Sequence, residues 1–179
     1  MLSRLDPFGD LIFFTDAEQA TALALTDQLL DQQGDRLVPV VAMIDTRLGR
    51  SQTDGWHYAD LPEDAQAWRA SLAHLDSDAR RRDGQCFAEC DRGEQAAIIS
   101  AIQELGAASW HGLPAARVWS LWTRYACTAF YSHPLAWNEM GFNGPAYPRG
   151  YKNLGINSLE PFEVRDTQPA NDPVRATQP

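Results

Sequence analysis

The chain has few of the residues, and none of the short motifs, that usually carry catalysis. Its 179 residues include three cysteines and four histidines. Neither H-E-x-x-H nor C-x-x-C-H occurs, and the phosphate-binding patterns G-x-G-x-x-G and G-x-x-x-x-G-K-[ST] are missing as well. An iron–sulfur cluster needs more thiolates than Cys86, Cys90 and Cys127 supply. We therefore predict no catalytic residue, no cofactor-binding residue and no metal ligand in this chain, and we exclude an electron carrier.

An excess of basic residues and long apolar runs are also missing. Lysine is nearly absent, with Lys152 alone against fourteen arginines, and the formal net charge is −9. This charge disfavours unaided binding to nucleic acid or to an anionic membrane surface. No apolar run approaches the roughly 20 residues that a bilayer-spanning helix needs. We therefore predict no nucleic-acid partner and no direct insertion into a membrane.

The number of cysteines, three, is odd and argues against a pure disulfide framework. Cys86 and Cys90 are one helical turn apart, a spacing that is poor for a disulfide on a regular helix. Their oxidation state stays open at this point. Cys127 lies in an apolar run and is predicted to be a small core residue.

Helix signals recur along the chain, whereas strand signals are absent. Thr15 and Glu18 form a capping box, Asp91 and Glu94 resemble a second one, and Gly84 is placed to end a helix. The predicted helices start near Thr15, Leu37, Pro62, Asp91, Pro114 and Pro134. Apolar faces are expected at Ala22, Leu25, Leu29 and Leu30, at Ala65, Trp68, Leu72 and Leu75, and at Ala97, Ile98, Ala101, Ile102 and Leu105. We predict an all-α fold: a compact domain of five to six helices over residues 1–166, with a disordered tail over 167–179.

Carboxylates are plentiful at the predicted helix starts and on polar faces. Asp64 and Asp78 are two of them. Capping and solvation are the default interpretation for such positions.

The helix predicted from Pro114 to Tyr131 is apolar around most of its circumference. Trp119, Trp122 and Tyr125 contribute much of its surface. A helix of this kind is either central to the core or covered by a partner.

The stretch from 130 to 151 combines a short predicted helix with glycine–proline turns and many aromatic residues. Glycine reaches positive φ without strain and proline fixes φ, so Gly144-Pro145 and Pro148-Arg149-Gly150 predict a rigid, irregular loop from Gly141 onward. His133 is either a turn histidine bonded to nearby backbone or a partner contact. Arg149 either holds the segment's own carbonyls or pairs with a carboxylate across an interface.

The same stretch resembles a known family. The matching residues are Tyr131-Ser132-His133-Pro134, Trp137, Gly141-Phe142, Gly144-Pro145-Ala146 and Pro148-Arg149-Gly150-Tyr151. They are similar to the C-terminal signature of the gluconate 2-dehydrogenase small-subunit family (subunit 3, gamma). Phe13-Phe14-Thr15 and the helix after it resemble the family's N-terminal opening, whereas residues 37–125 match only in helical character and length.

The resemblance implies a role in a complex. Family members are the small partners of membrane-linked flavoprotein dehydrogenases that act on sugars and sugar acids. The implied partner is a large FAD-dependent dehydrogenase of the glucose–methanol–choline (GMC) class, with a cytochrome c as a further partner. FAD is then expected in the partner subunit and no cofactor in this chain. The chain itself would be non-catalytic and would support folding, flavin retention or export of the large subunit.

Aromatic residues and arginine are enriched at interface hot spots, and both concentrate in the matching segment. We therefore predict the following partner-binding set: Tyr131, His133, Trp137, Phe142, Tyr147, Arg149 and Tyr151.

Two alternatives remain. In the first, the chain is a stand-alone sugar-binding or enzymatic helical domain whose 130–151 aromatics line a pocket, with His133, Glu139 or Arg149 as polar contacts. A stand-alone enzyme is expected to be monodisperse, whereas an orphan subunit exposes an apolar patch and self-associates. In the second, the chain is a purely structural helical module, and substitutions in 141–151 affect stability alone.

The compartment is open at this stage. Members of the resembled family often begin with a twin-arginine export signal. Here the first fifteen residues carry a single basic residue, Arg4, and Leu11-Ile12-Phe13-Phe14 is too short for the apolar region of a signal peptide. We expect either a periplasmic protein that is exported with its partner or a cytoplasmic one.

Overall fold

The computed structural model describes residues 11–32, 34 and 36–140, and these are mainly helical. They form α1 (Asp16–Leu30), α2 (Val40–Gly49), α3 (Asp64–Asp83), α4 (Arg92–Glu104), α5 (Ala115–Ser132) and α6 (Pro134–Glu139). A 3₁₀ turn (Phe87–Glu89) precedes α4, and a hairpin of β1 (Ser109–Trp110) and β2 (Leu113–Pro114) precedes α5. The predicted all-α class is confirmed. The irregular segment predicted from Gly141 and the tail predicted over 167–179 lie outside the described residues.

The chain divides into two compact units, residues 1–130 and residues 131–179. The first unit contains α1 to α4, the hairpin and most of α5. In the second unit, the described residues are the end of α5 and α6. The largest buried side chains of the described part, Trp68, Trp122, Tyr125 and Phe87, all belong to the first unit.

Helix ends follow local signals. The Thr15 side chain accepts from Glu18 N, and the Glu18 carboxylate accepts from Thr15 N, so the predicted capping box is confirmed. Asp91 caps α4, and Gly84 ends α3 with φ +74°. The predicted starts at Leu37 and Pro62 are slightly early, since α2 begins at Val40 and α3 at Asp64. Both starts lie just after a proline, and a residue that precedes proline is biased away from helical geometry.

The core of the first unit is built where α3 meets α5. Trp68 and Trp122 are fully buried, and Tyr125 packs edge-on against Trp68 with ring centroids 5.8 Å apart. The indole N–H of Trp122 donates to Ser71 Oγ at 2.9 Å, so this buried polar group has a partner. The central-core interpretation of α5 is therefore confirmed for the face that carries these residues.

The N-terminal opening is held by a buried carboxylate on α2. Asp45 is 2% exposed and accepts the backbone N–H groups of Ile12, Phe13 and Phe14 at 2.8, 3.0 and 2.8 Å. Phe14 is buried beside Trp68, with ring centroids 6.1 Å apart. The Phe-Phe-Thr opening therefore anchors the N-terminal segment to the core.

The hairpin was not predicted from the sequence. Ser109 pairs with Pro114 and Trp110 with Leu113 in antiparallel register. The two turn residues, His111 and Gly112, both have positive φ, at 49° and 84°. This is the requirement of a type I′ hairpin turn, in which an Asn-Gly pair is more common. Strands of two residues are too short to show an alternating pattern, so no strand signal was present.

The burial prediction for Cys127 is wrong, and the one for α4 is confirmed only for Ile98 and Ile102. Cys127 is exposed, because the packed face of α5 runs through Val118, Trp122 and Tyr125 instead. On α4 the buried residues are Gln95, Ile98, Ile99 and Ile102, whereas Ala97, Ala101 and Leu105 are exposed. In both helices apolar residues extend around more than one face, and the periodicity alone does not select the face that packs.

Candidate functional site

The described part of the second unit contains three of the predicted partner-binding residues. Tyr131, at the end of α5, is 50% exposed, and the neighbouring apolar side chains Leu135 and Met140 are 42% and 51% exposed. Trp137 is half-buried, and its indole N–H donates to Tyr131 O at 2.6 Å. This bond fixes the Trp137 ring against the end of α5.

His133 has the turn role that was one of its two interpretations. Its Nδ1 accepts from Leu135 N at 3.3 Å, and its backbone carbonyl accepts from Ala136 N and Trp137 N. The residue therefore supports the start of α6. Three of the seven predicted residues, Tyr131, His133 and Trp137, thus lie at the junction of α5 and α6.

The other four predicted contacts lie outside the described residues. These are Phe142, Tyr147, Arg149 and Tyr151. Arg149 and the side chain of Glu139, which the pocket alternative needs, lie outside them as well. The partner-binding set stays a prediction.

A network of charged residues in the first unit ties the loop after α2 to α5. The Arg124 guanidinium binds Asp54 through Nη1 and Asp64 through Nη2, the latter at 2.9 Å, and Arg47 also binds Asp54. Burial alone would raise the pKa of Asp54, but hydrogen bonds from Arg47 and Arg124 outweigh it and hold the pKa below its usual value. The carboxylate is therefore ionised at neutral pH and keeps the loop in place.

Asp64 is the buried member of this network. It is 5% exposed and also accepts the Tyr125 hydroxyl at 2.8 Å. Burial and the neighbouring Asp64 raise the pKa of Tyr125, so its hydroxyl stays a donor. The prediction that Asp64 merely caps a helix or faces solvent is wrong, because its partners come from α5.

Over this network the loop presents aromatic residues to solvent. Trp56 is 48% exposed and stacks on Arg124, whose guanidinium carbon lies 4.8 Å from the ring centroid. Tyr58 packs edge-on against Trp56 at 5.2 Å and lies under Arg117 at 4.0 Å. Trp56 and Tyr58 were not singled out in the sequence analysis. Arg117 and Arg124, two turns apart on α5, are the signal that could have paired with them.

A second buried carboxylate, Asp78 of α3, holds the hairpin. It accepts the Trp110 indole N–H at 2.8 Å through Oδ2, and its Oδ1 lies 2.6 Å from His111 Nε2 and 2.5 Å from Arg81 Nη2. Asp78 is 8% exposed, so the prediction that it faces solvent is also wrong. Next to it lies an open cleft of about 220 Å³, lined mainly by Arg81, Arg82, Ile98, Ile102 and Leu105.

The charge of Asp78 gives the fold an acid dependence. Burial would raise the pKa of Asp78, but hydrogen bonds from Trp110 and His111 outweigh it, so the pKa lies below the ordinary value. The associated stability is present above about pH 4, the unfolded carboxyl pKa, and is lost as pH falls through the lowered folded pKa.

We therefore expect Asp78→Asn to destabilise the protein most at neutral pH, by about 2 kcal/mol for lost charge-assisted hydrogen bonds. Urea unfolding of the wild type and of Asp78→Asn between about pH 7 and pH 3 measures the difference in their free energies of unfolding. The gap should narrow below about pH 4, because the carboxyl of the unfolded wild type takes up a proton there, whereas the folded carboxylate does so only at lower pH. A gap that stays constant over the whole range would show that Asp78 contributes through packing and not through charge.

The cysteines of the described residues are free. Cys86 and Cys90 flank the 3₁₀ turn and are both thiols, with Cys90 Sγ 3.5 Å from Cys86 O. Within residues 11–32, 34 and 36–140, no group of three or more His, Cys, Asp and Glu side chains is placed to hold a metal ion. In the same residues, no helix has the length and apolar character needed to span a membrane.

A comparison with protein families assigns the chain to one of them. The family model described as gluconate 2-dehydrogenase subunit 3 matches residues 16–144, well over half of the sequence. The chain belongs to the gluconate 2-dehydrogenase subunit 3 family, as the sequence resemblance predicted. No curated protein and no solved structure gives a significant match. The matched range includes Tyr131, His133, Trp137 and Phe142, and it ends before Tyr147, Arg149 and Tyr151.

Proposed function

We propose that this protein is the non-catalytic small subunit of an FAD-dependent, GMC-class sugar or sugar-acid dehydrogenase. It binds the large subunit and supports that subunit's folding, its retention of flavin or its export, and a cytochrome c or another acceptor takes the electrons. The family membership supports the subunit role. FAD belongs to the large subunit in this proposal.

The observation that carries the proposal is the exposure of large apolar side chains around α6. Tyr131, Leu135 and Met140 lie within ten residues and are each 42–51% exposed. Concentrated apolar exposure of this kind is a feature of surfaces that a partner covers. Trp137 adds a ring whose orientation is fixed by its bond to Tyr131 O, and a side chain ordered in advance loses less entropy on binding.

Co-expression tests the subunit role. We would express the flavoprotein dehydrogenase encoded beside this chain with and without it, and measure soluble yield, bound FAD absorbance and dye-linked sugar oxidation. We expect the two proteins to co-purify, and the flavoprotein alone to be insoluble or poor in FAD. A flavoprotein that is fully loaded and active alone, and that never associates with this chain, would refute the proposal.

Substitution tests the contact set separately. We expect the double variant Tyr131→Ala/Leu135→Ala to bind the large subunit roughly 30-fold more weakly, the effect of losing about 2 kcal/mol at an interface hot spot. Trp56→Ala is the matched control, because it removes an exposed aromatic ring from the first unit. If both variants bind normally while the complex still forms, the subunit role stands and the proposed contacts are wrong.

A further inference from the structure

Two imidazole rings are stacked where the hairpin meets α3. His74 of α3 and His111 of the hairpin turn lie parallel, with ring centroids 4.5 Å apart and an interplanar angle of 10°. His111 also contacts Asp78 through Nε2, whereas His74 packs against the edge of Trp110 at 5.5 Å. Asp78, through two hydrogen bonds, and the ring contacts of His74 thus hold the hairpin on α3, and Trp110 also packs edge-on against Trp122 of α5 at 5.7 Å.

Charged groups of several elements surround the His74–His111 pair. Asp78 and Arg81 of α3 form an ion pair at 2.5 Å, and His111 is the titratable group that the hairpin contributes. Towards α4, Arg82 is neutralised by Glu94 at 2.7 Å. Towards α1 and the 3₁₀ turn, the carboxylate of Asp76 is occupied by Thr21 Oγ1 and by Phe87 N. Among these contacts, His111 has the carboxylate, whereas His74 has ring contacts with His111 and Trp110.

We propose that His74 and His111 form an acid-sensitive latch, which releases the hairpin from α3 when both rings carry a proton. One imidazolium is compatible with the structure, because on His111 it pairs with Asp78. A second proton on His74 places two cations face to face in a partly buried site, where like charges repel strongly.

The direction of titration agrees with this latch. Burial and the charge of His111 lower the pKa of His74, against a smaller opposing effect of Asp78. A lowered histidine pKa means that the unfolded or released state takes up the proton more readily. Stability is then complete above about pH 6.5, the ordinary histidine pKa, and is lost as pH falls below it. Asp78 has a lowered pKa and stays ionised in this range.

The strained turn makes the hairpin a suitable element to release. His111 is a non-glycine residue at φ +49°, a conformation that costs energy unless neighbouring contacts maintain it. Loss of the stack and of the bond to Asp78 would remove those contacts. The hairpin directly precedes Ala115, so release would change how the start of α5 is held.

Hydrogen exchange of single indole groups tests the latch in the full-length protein. We would follow the Trp110 indole N–H by NMR from about pH 7.5 to about pH 5 and compare it with the Trp122 indole N–H, which donates to Ser71. The ratio of the two cancels the intrinsic pH dependence of exchange and any global unfolding. We expect the protection of Trp110 relative to Trp122 to fall roughly tenfold or more below about pH 6.

Two variants decide the cause. His74→Gln cannot acquire charge and should keep the Trp110 protection at about pH 5, and His74→Phe, which retains a stacking ring, serves if the glutamine variant fails to fold. His57→Gln is the matched control, since His57 lies near Glu63 in a different loop, at 3.6 Å, and should behave as wild type. Unchanged protection in the wild type at low pH, or equal loss in wild type and both His74 variants, would overturn the proposal.

Discussion

Asp45→Ala should destabilise this protein by about 3–5 kcal/mol, because it leaves three backbone N–H groups without their acceptor. Asp45 is 2% exposed and binds the amides of Ile12, Phe13 and Phe14. Each orphaned buried donor carries a desolvation penalty of about 1–3 kcal/mol, which is reduced where water reaches it. Ile12 is 56% exposed, so its amide is the one that water can recover.

Urea unfolding and limited proteolysis together measure this effect. Unfolding gives the lost free energy, and cleavage before α1 reports release of the N-terminal segment. Asp45→Asn keeps a carbonyl acceptor and should lose about half as much. Asp60→Ala is the control, because Asp60 pairs with Arg117 at the surface and such pairs contribute at most about 1 kcal/mol. A loss below about 1 kcal/mol for Asp45→Ala would mean that the three amides are satisfied in another way.

The second large effect is expected at Asp64. Its carboxylate, 5% exposed, accepts from Arg124 at 2.9 Å and from the Tyr125 hydroxyl at 2.8 Å. Removing one partner of a buried ion pair usually costs about 3–5 kcal/mol, since the remaining charge is left uncompensated. Arg124 keeps its bond to Asp54. We therefore expect Asp64→Ala to lose about 3 kcal/mol of stability, the lower end of this range.

A double-mutant cycle separates the two bonds of Asp64. Tyr125→Phe removes only the hydroxyl and should cost about 1 kcal/mol. In the Asp64→Ala background the same change should cost almost nothing, because the acceptor is already missing. Equal costs in both backgrounds, measured by urea unfolding, would show that the hydroxyl does not depend on Asp64.

Both of these expected losses of stability concern buried carboxylates. In the sequence analysis, Asp64 was placed at a helix start or on a polar face, and Asp45 was not singled out. Asp45 is not distinguished by the sequence at all, and Asp64 has the position of a helix cap. Their partners are 31–33 and 60–61 residues away along the chain, so no local pattern connects them. The candidate contact surface, by contrast, was predicted from the sequence. Tyr131, His133 and Trp137 were identified from a family resemblance in a short segment, and their role in binding stays a prediction.

The sequence by itself determined the features that depend on contacts within about one helical turn. Thr15 with Glu18, Asp91 and Gly84 mark helix ends because the bonds they make are local. The apolar spacing of Trp68, Leu72 and Leu75 correctly identified the buried face of α3, because on that helix only one face is apolar.

Only the tertiary structure decided which of several apolar faces packs and which carboxylates are buried. Cys127 is exposed and Asp78 is buried, although their local sequences predict the reverse. The choice depends on the fit of whole helices against one another and on donors such as Trp110 and His111, which a distant hairpin brings to Asp78. A buried charge is stable only where such donors converge, and convergence of distant segments is a property of the folded chain.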